Sequence, residues 1–600
     1  MSKKSNKKGG INRRDFIKIS AVGLSASTFG FAPIHKEISQ SSNYKNIKWD
    51  MEVDIIVCGA GGASLTAAYK SALLRNNTII LEKAPYFGGS TMKSGGILWV
   101  PNNPILQRDG TKDNKEDAMA YMVRLAYPEL FKSGSPRFGV PEYEYTLIEA
   151  YYDNGSKALS DLMSHYAYDP MYMMGFDGKI FPDYFDHIKE NKLPRGRTLA
   201  PIALDAQVRA MTGGSGMGTD LIRRLKMAVD SLKIPIYYKH QVDKVIENEN
   251  AEIIGVRAKT GNTYKYFKAR KAVIFGVGGF THNKAMARQY LRGPIFGGCT
   301  VPTSEGDFVK IGLEIGADLG NMANAWWADM VLEHIFEGTT AVFTSAFAIP
   351  GDSMIIVNKY GNRVVNEKRG YNERTQVHFD WDPVKGEFSN LLYFMVYDDR
   401  TAKSVASGGG SFAELLNYPL PANINEAPHV VSGNTFEELN NNLNVKLNDL
   451  TKKGIIPDYA LDEKFIENLR LNVDKFNKFA NAGIDEDFHR GDAGIDNAFH
   501  MVPPQGNEKP NRTMYPISNQ GPYYAIVLAP GTLGTKGGPK INTKAQILDV
   551  NGNVIKGLYG AGNCIASPAA KAYWGAGGTI GPAMVFGWIA AVNAHNENIK

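Results

Sequence analysis

Asp54-Ile55-Ile56-Val57-Cys58-Gly59-Ala60-Gly61-Gly62-Ala63-Ser64 is the stretch on which the fold turns. Its first five residues read as a buried strand, and the glycines then turn sharply. Leu65, Ala68, Tyr69, Ala72 and Leu73 come next at helical spacing. Thr78-Ile79-Ile80-Leu81 reads as the next strand and ends at Glu82, 21 residues after Gly61. A strand–helix–strand unit with glycines in its first turn and an acid closing the second strand is suited to a dinucleotide. Gly59 allows the tight turn. Gly61 lets a pyrophosphate approach the backbone, and the helix start at Gly62 and Ala63 binds it through free amides and the helix dipole. Glu82, with Lys83 next to it, accepts hydrogen bonds from ribose hydroxyls. The third glycine position holds Ser64, a change expected to loosen helix–strand packing slightly.

The segment after Glu82 selects FAD over NAD. Gly88-Gly89-Ser90-Thr91 continues into Ser94-Gly95-Gly96, a run of small residues that lets the backbone lie against an isoalloxazine ring. A second strand, Ala272-Val273-Ile274-Phe275, enters Gly276-Val277-Gly278-Gly279. A third, Gly557-Leu558-Tyr559-Gly560-Ala561-Gly562-Asn563, comes near the C-terminus. The expected architecture is therefore α/β: a Rossmann-like FAD-binding domain, split in sequence over residues 50–324 and 526–600. An inserted α+β domain over 325–525 caps the flavin and binds substrate. The last helix begins near Thr579 and Ile580, where its N-terminus would favour an anionic reduced flavin.

Composition excludes several classes. Hydrophobic content of 43% and charge of 21% fit an ordinary globular protein. The net charge of +6 misleads, because residues 1–33 hold seven of the Lys/Arg and one Asp, leaving the rest balanced. Nucleic acid is not an expected partner. Cys58, Cys299 and Cys564 are widely spaced, with neither metal-ligand nor haem-attachment spacing, so no metal is expected. Residues 1–40 read as a twin-arginine export signal and linker: Asn12-Arg13-Arg14-Asp15-Phe16-Ile17-Lys18, then a mildly apolar stretch too short to span a bilayer. The export machinery is thus an expected partner, and the expected location is the periplasm, or otherwise outside the cytoplasm, of a bacterium.

Several blocks together resemble the FAD-dependent fumarate reductase/3-ketosteroid dehydrogenase superfamily, over about residues 50–600. Gly88 to Asn103, Ala325-Trp326-Trp327, Gly534-Thr535-Lys536-Gly537-Gly538-Pro539 and Thr579-Ile580-Gly581-Pro582-Ala583-Met584 are similar to the 3-ketosteroid Δ1-dehydrogenases. That resemblance implies a hydrophobic steroid substrate and an electron acceptor such as a quinone or a redox protein. It implies that Tyr371, in Asn366-Glu367-Lys368-Arg369-Gly370-Tyr371, is the base acting on C2. Tyr184 would support it by a hydrogen bond, while Tyr573 O–H and Gly577 N–H hold the C3 oxygen. A phenol serving as base needs a pKa well below its usual ~10. Trp574 stands where the family usually has proline, which bears on the shape of this loop.

The carboxylate-reducing branch keeps arginine where Tyr371 stands, and a His and an Arg in the segment matching Lys571 to Gly577. Lys571, Arg369 and Arg374 are the cations left for that reading. Desaturation of a 5α-3-ketosteroid at C4 and a flavin protein that only transfers electrons also stay open. Trp326 and Trp327 are expected to be packing residues, and Asp329 to be solvated. The export reading has a direct test. Residues 1–40 fused to a reporter that must fold before export are expected to carry it to the periplasm, and Arg13→Lys with Arg14→Lys to stop it. Export by the doubly changed fusion would overturn the assignment.

Overall fold

The computed structural model describes residues 44–600 apart from 337–341, 343, 344, 405–418, 422, 425, 426, 501 and 504, so the twin-arginine segment lies outside the described residues. Ile47–Lys600 pack as one unit. β1 (Met51–Cys58) runs through the turn into α1 (Gly62–Leu73), and the chain returns as β2 (Thr78–Leu81). β1 and β2 pair in parallel, Ile55 opposite Thr78 and Cys58 opposite Leu81. All four residues of β2 are buried, as a parallel strand covered on both faces requires.

The helix α2 (Gly218–Ser231) leads into β3 (Ile236–Tyr237), which extends the sheet beyond β2. β4 (Gln241–Glu247) and β5 (Ile253–Thr260) form an antiparallel pair that joins β6 (Thr263–Phe275). β6 lies parallel to β1 on the side away from β2.

A second sheet is built from β7 (Ala325–Val331), β8 (Met354–Val357), β9 (Tyr393–Asp398), β10 (Val430–Gly433) and the long β11 (Tyr523–Thr535). β11 pairs antiparallel with β7, β9 and β10 and runs through residue 525. Between β8 and β9 the short α3 (Tyr371–Gln376) packs on β7. The amphipathic helices α4 (Phe436–Lys452) and α5 (Phe465–Ala482) cover one face of the second sheet through leucine and phenylalanine side chains.

The chain then returns to the first sheet. β12 (Gln546–Leu548) and β13 (Val554–Gly560) close it in the order β12-β13-β6-β1-β2-β3, with β13 parallel to β6. The split nucleotide-binding fold read from three separated glycine-ended strands is therefore the fold observed. The final helix α6 (Ile580–His595) packs against α1 and is apolar nearly all round, as a helix buried between layers must be. Among the described residues no helix is long and apolar enough to cross a membrane.

Two positions differ from expectation. Ser64 does not loosen the packing. It is buried, and its hydroxyl donates to Cys58 O at 3.0 Å and Gly276 O at 3.1 Å, tying the ends of β1 and β6 together where a glycine would leave both carbonyls without this donor. Asp329 is not solvated. It is fully buried, pairs with Arg374 at 2.9 Å and accepts a hydrogen bond from Thr375 at 2.5 Å, which fixes α3 onto β7.

Candidate active site

One cavity runs from the first turn of α1 to the second sheet, and every residue singled out for cofactor or substrate lines it. At one end are Gly59, Gly61, Gly62 and Ala63. Gly59 has φ +97°, and a Cβ there would stand 2.8 Å from Gly276 O, so only glycine makes this turn without displacing β6. At Gly61 a Cβ would meet nothing closer than Gly88 O at 3.9 Å, so the cavity wall is bare backbone there. Gly61 caps α1 with no side chain of its own; Gly62 N donates to Thr91 Oγ1 at 3.3 Å, while Ala63 N has no acceptor among the described residues and is left for a phosphate. Glu82 is held by two amides, Oε2 accepting from Ala60 N and Oε1 from Ala84 N, both at 2.7 Å. Lys83 is turned to the rim, where it pairs with Glu305 at 2.6 Å and Asp307 at 3.0 Å.

The middle of the cavity is the small-residue run. Gly89 and Gly96 both have positive φ. Ser90 Oγ accepts from Val301 N at 3.1 Å, Thr91 Oγ1 from Gly62 N at 3.3 Å, and Ser94 Oγ from Gly96 N at 3.0 Å, while Gly95 sits next to Ser94 along the wall. Gly278, Gly279, Gly562 and Asn563 come in from the ends of β6 and β13, and Thr579 with Ile580 forms the N-terminus of α6.

At the far end three tyrosines from distant segments meet. Tyr184 O–H donates to the Tyr371 hydroxyl at 2.7 Å, and Tyr371 O–H donates to the Tyr573 hydroxyl at 2.9 Å. Thr579 Oγ1 also donates to Tyr573, at 3.3 Å. With both of those hydroxyls donating to it, Tyr573 O–H has no acceptor among the described residues. Gly577 N–H likewise has no acceptor among the described residues. Gly577 has φ +92°, and a Cβ there would stand 2.6 Å from the backbone of Ile97, so the close approach excludes any other residue.

Buried ions hold these tyrosines in place. Glu367, fully buried, pairs with Arg363 at 2.7 Å and Arg490 at 3.3 Å and anchors the loop ending in Tyr371. Asp183 pairs with Arg197 at 2.6 Å and accepts from Trp99 Nε1 at 2.7 Å, which fixes Tyr184. Trp574 points away from the cavity into the core. It stacks on Tyr151 with ring centres 5.7 Å apart, and its carbonyl accepts from Tyr184 N at 3.2 Å. The tryptophan in place of proline therefore locks the Tyr573 loop and leaves the cavity unobstructed. Trp326 meets the Tyr573 ring edge-on at 4.9 Å, whereas Trp327 packs on Phe379.

The electrostatics correct one expectation. Burial raises the pKa of Tyr371, and neighbouring Tyr184 and Tyr573 raise it further. Tyr184 and Tyr573 are raised first by burial as well. The phenols are thus weaker acids than usual, because a phenolate in this dry pocket loses hydration with no cation in direct contact. Lys571 pairs with Glu129 at the surface, Arg369 with Asp496 and Arg374 with Asp329, so none of the three clamps a ligand. Sequence reasoning missed the cavity's other walls: Met173, Phe347 and Phe499 beside the tyrosines, and Lys93 with Cys299.

Residues 54–580 match the family model described as FAD binding domain. The chain belongs to this FAD-binding family. It is similar to 3-oxosteroid 1-dehydrogenase of Mycolicibacterium smegmatis, 29% identical over 90% of this chain and 97% of that protein. It is also similar to 4-oxocyclohexanecarboxylate 2-dehydrogenase of Sinomonas cyclohexanicum, 28% identical over 90% of this chain and 92% of that protein. Among solved structures it resembles 3-ketosteroid delta1-dehydrogenase from Sterolibacterium denitrificans in complex with 1,4-androstadiene-3,17-dione. The TM-score is 0.72, with 25% identity covering 91% of this chain and 99% of that one.

The chain is an FAD-dependent oxidoreductase, and its own residues fit that cofactor. The bare backbone at Gly61, the helix start at Gly62 and Ala63, and Glu82 at the end of β2 match a pyrophosphate and a ribose. Purified protein is expected to carry one FAD that heat denaturation releases completely. Gly61→Val is expected to abolish FAD retention, because the side chain fills the phosphate approach. Flavin left on the denatured chain, or a flavin-loaded Gly61→Val, would contradict this.

Proposed function

We propose that this protein dehydrogenates a 3-ketosteroid between C1 and C2. The observation that carries the proposal is the pair of uncommitted donors, Tyr573 O–H and Gly577 N–H, beside a buried phenol in a pocket walled by Met173, Phe347 and Phe499. A ketone oxygen seated between those donors gains negative charge as the neighbouring carbon loses its proton, and preorganised donors stabilise that charge. Tyr371 takes the C2 proton, with Tyr184 O–H donating to the oxygen that receives it. FAD, when bound, supplies the hydride acceptor for C1. The apolar walls exclude water and select a fused hydrocarbon ring system. The similarity to 3-oxosteroid 1-dehydrogenases supports the substrate class. Desaturation at C4 would use the same donors, and the position of the new double bond in the product separates the two. Reduction of a fumarate-like diacid would need the arginine clamps that are spent elsewhere.

Lys93 favours a second reading. It lines the cavity and its Nζ donates to Val342 O at 3.0 Å, with no carboxylate partner among the described residues. Burial lowers its pKa, so a bound carboxylate would restore it. A smaller cyclic ketone bearing an acid group would use this cation, and the similarity to the 4-oxocyclohexanecarboxylate enzyme agrees. Under both readings the enzyme works outside the cytoplasm, carried there by its twin-arginine segment, and a quinone or a redox protein takes its electrons.

Anaerobic mixing with 3-ketosteroids and 4-oxocyclohexanecarboxylate, monitored by flavin bleaching, tests the assignment. Tyr371→Phe is expected to keep FAD and steroid affinity while slowing flavin reduction ~100–10,000-fold. Tyr573→Phe is expected to lose roughly 100–1,000-fold and to weaken binding. Lys93→Met should spare the steroids and impair the acid alone. Desaturation by Tyr371→Phe at the wild-type rate would rule out the proposed base.

A further inference from the structure

Thr579 stands at the start of α6, where a threonine usually caps the helix by accepting hydrogen bonds from its first amides. Here its side chain makes no cap hydrogen bond, and Oγ1 donates to the Tyr573 hydroxyl at 3.3 Å instead. The hydroxyl is thus spent on the phenol rather than on the helix. Thr579 lines the cavity beside Tyr573.

The Tyr573 ring itself has little room to move. Trp326 meets it edge-on at 4.9 Å and Tyr184 at 5.1 Å. A Cβ on Gly578 would stand 3.0 Å from Tyr573 Cδ2, so that side is closed by bare backbone. The chain just before the ring is held as well. Lys536, fully buried and directly after β11, donates from Nζ to Ala572 O at 2.6 Å and lies 3.9 Å from the centre of the Trp326 ring. With ring and backbone fixed, the freedom left to Tyr573 is the torsion of its hydroxyl.

Two donors bear on that torsion, Tyr371 O–H at 2.9 Å and Thr579 Oγ1 at 3.3 Å. A hydroxyl oxygen has two acceptor sites and one proton, so two incoming donors leave the proton the direction that neither occupies. Donors also pull electron density from the phenol oxygen, and hydrogen bonds in a chain strengthen one another. Burial raises the pKa of Tyr573, and the hydrogen bonds from Thr579 and Tyr371 work against that rise. The two donors are not equivalent, however. A phenol acts as a base only without its own proton, and in that state Tyr371 has none to give Tyr573. Thr579 is the donor whose proton has no part in the chemistry. We infer that Thr579 is a positioning residue for the reaction: its hydroxyl aims and strengthens the Tyr573 O–H that receives the ketone oxygen. It acts through Tyr573, no bond forms or breaks at Thr579, and the inference rests on the proposed role of Tyr573 as oxyanion donor.

The test uses purified holoenzyme, with flavin reduction by a 3-ketosteroid recorded by anaerobic rapid mixing. Thr579→Val keeps nearly the shape of the side chain and removes the hydroxyl. It should slow reduction roughly 10-fold, with FAD content, flavin spectrum and steroid affinity nearly unchanged, because the hydrogen bond counts most as charge develops on the ketone oxygen. Thr579→Ser should recover most of the rate. Added to Tyr573→Phe, Thr579→Val should cost nothing further, since the hydroxyl it serves is gone. Infrared spectra of a 3-ketosteroid product bound to oxidised enzyme read the same contact without turnover: the C3 carbonyl band should move toward its free position in Thr579→Val. A wild-type rate and carbonyl band in Thr579→Val overturn the inference. So does the same loss of rate in the Tyr573→Phe background, or loss of FAD from Thr579→Val, either of which would assign Thr579 to the cofactor instead. A wild-type flavin that no 3-ketosteroid reduces overturns the proposed function and this inference with it, and is told apart because it appears before any substitution is made.

Discussion

Three phenol hydroxyls in a row, Tyr184 to Tyr371 to Tyr573, set the constraint on which the rest of the structure depends. The chain must bring residues 184, 371 and 573 to within hydrogen-bond distance while keeping all three away from water. No local element does that. The Tyr184 loop hangs on Asp183 and Arg197, the Tyr371 loop on Glu367 with Arg363 and Arg490, and the Tyr573 loop on Trp574. Buried ion pairs are weak evidence for stability, because desolvation offsets most of their attraction. Their use here is geometric. A guanidinium with several fixed partners holds a loop in one place, and a loop held in one place holds its hydroxyl.

The split of the nucleotide-binding sheet arises from the same demand. β13 and α6 come last in sequence but sit beside β6 and α1. That return places Thr579 and Gly577 at the junction between the FAD cradle and the tyrosines. Thr579 lines the cradle and also donates to Tyr573, so one residue joins the two halves of the site. A continuous fold with the second sheet appended at one end would leave that junction to a flexible linker.

Parts of this were legible in the sequence because their chemistry is local. The turn at Gly59 and Gly61, the acid at Glu82 and the run from Gly88 to Gly96 announce themselves by spacing, since a phosphate and a ribose demand particular atoms at particular intervals. Tyr371 and Tyr573 were legible only through the blocks around them, because nothing in an isolated tyrosine separates a base from a core residue. Lys536 and Phe499 were not legible. Their meaning lies in which distant side chains they meet. Ser64 and Asp329 defeat a local reading for a related reason: the partners that give each its role are carbonyls or side chains from other strands and turns.

The pKa of the tyrosines joins energetics to function. A site that made Tyr371 a phenolate at rest would need a cation in contact with it, and such a cation would also grip acids and hold the proton-free form too firmly. The cations nearest the tyrosines lie one layer back, Lys536 against Trp326 and Arg374 against Asp329. In the mechanism we propose, the phenols stay protonated until the ketone is seated, and the charge that then develops is shared among Tyr371, the ketone oxygen and the donors around it. A buried cluster of phenols with no cation in direct contact among the described residues is matched to a neutral ketone that becomes anionic only during the reaction. It is poorly matched to a diacid that arrives already charged.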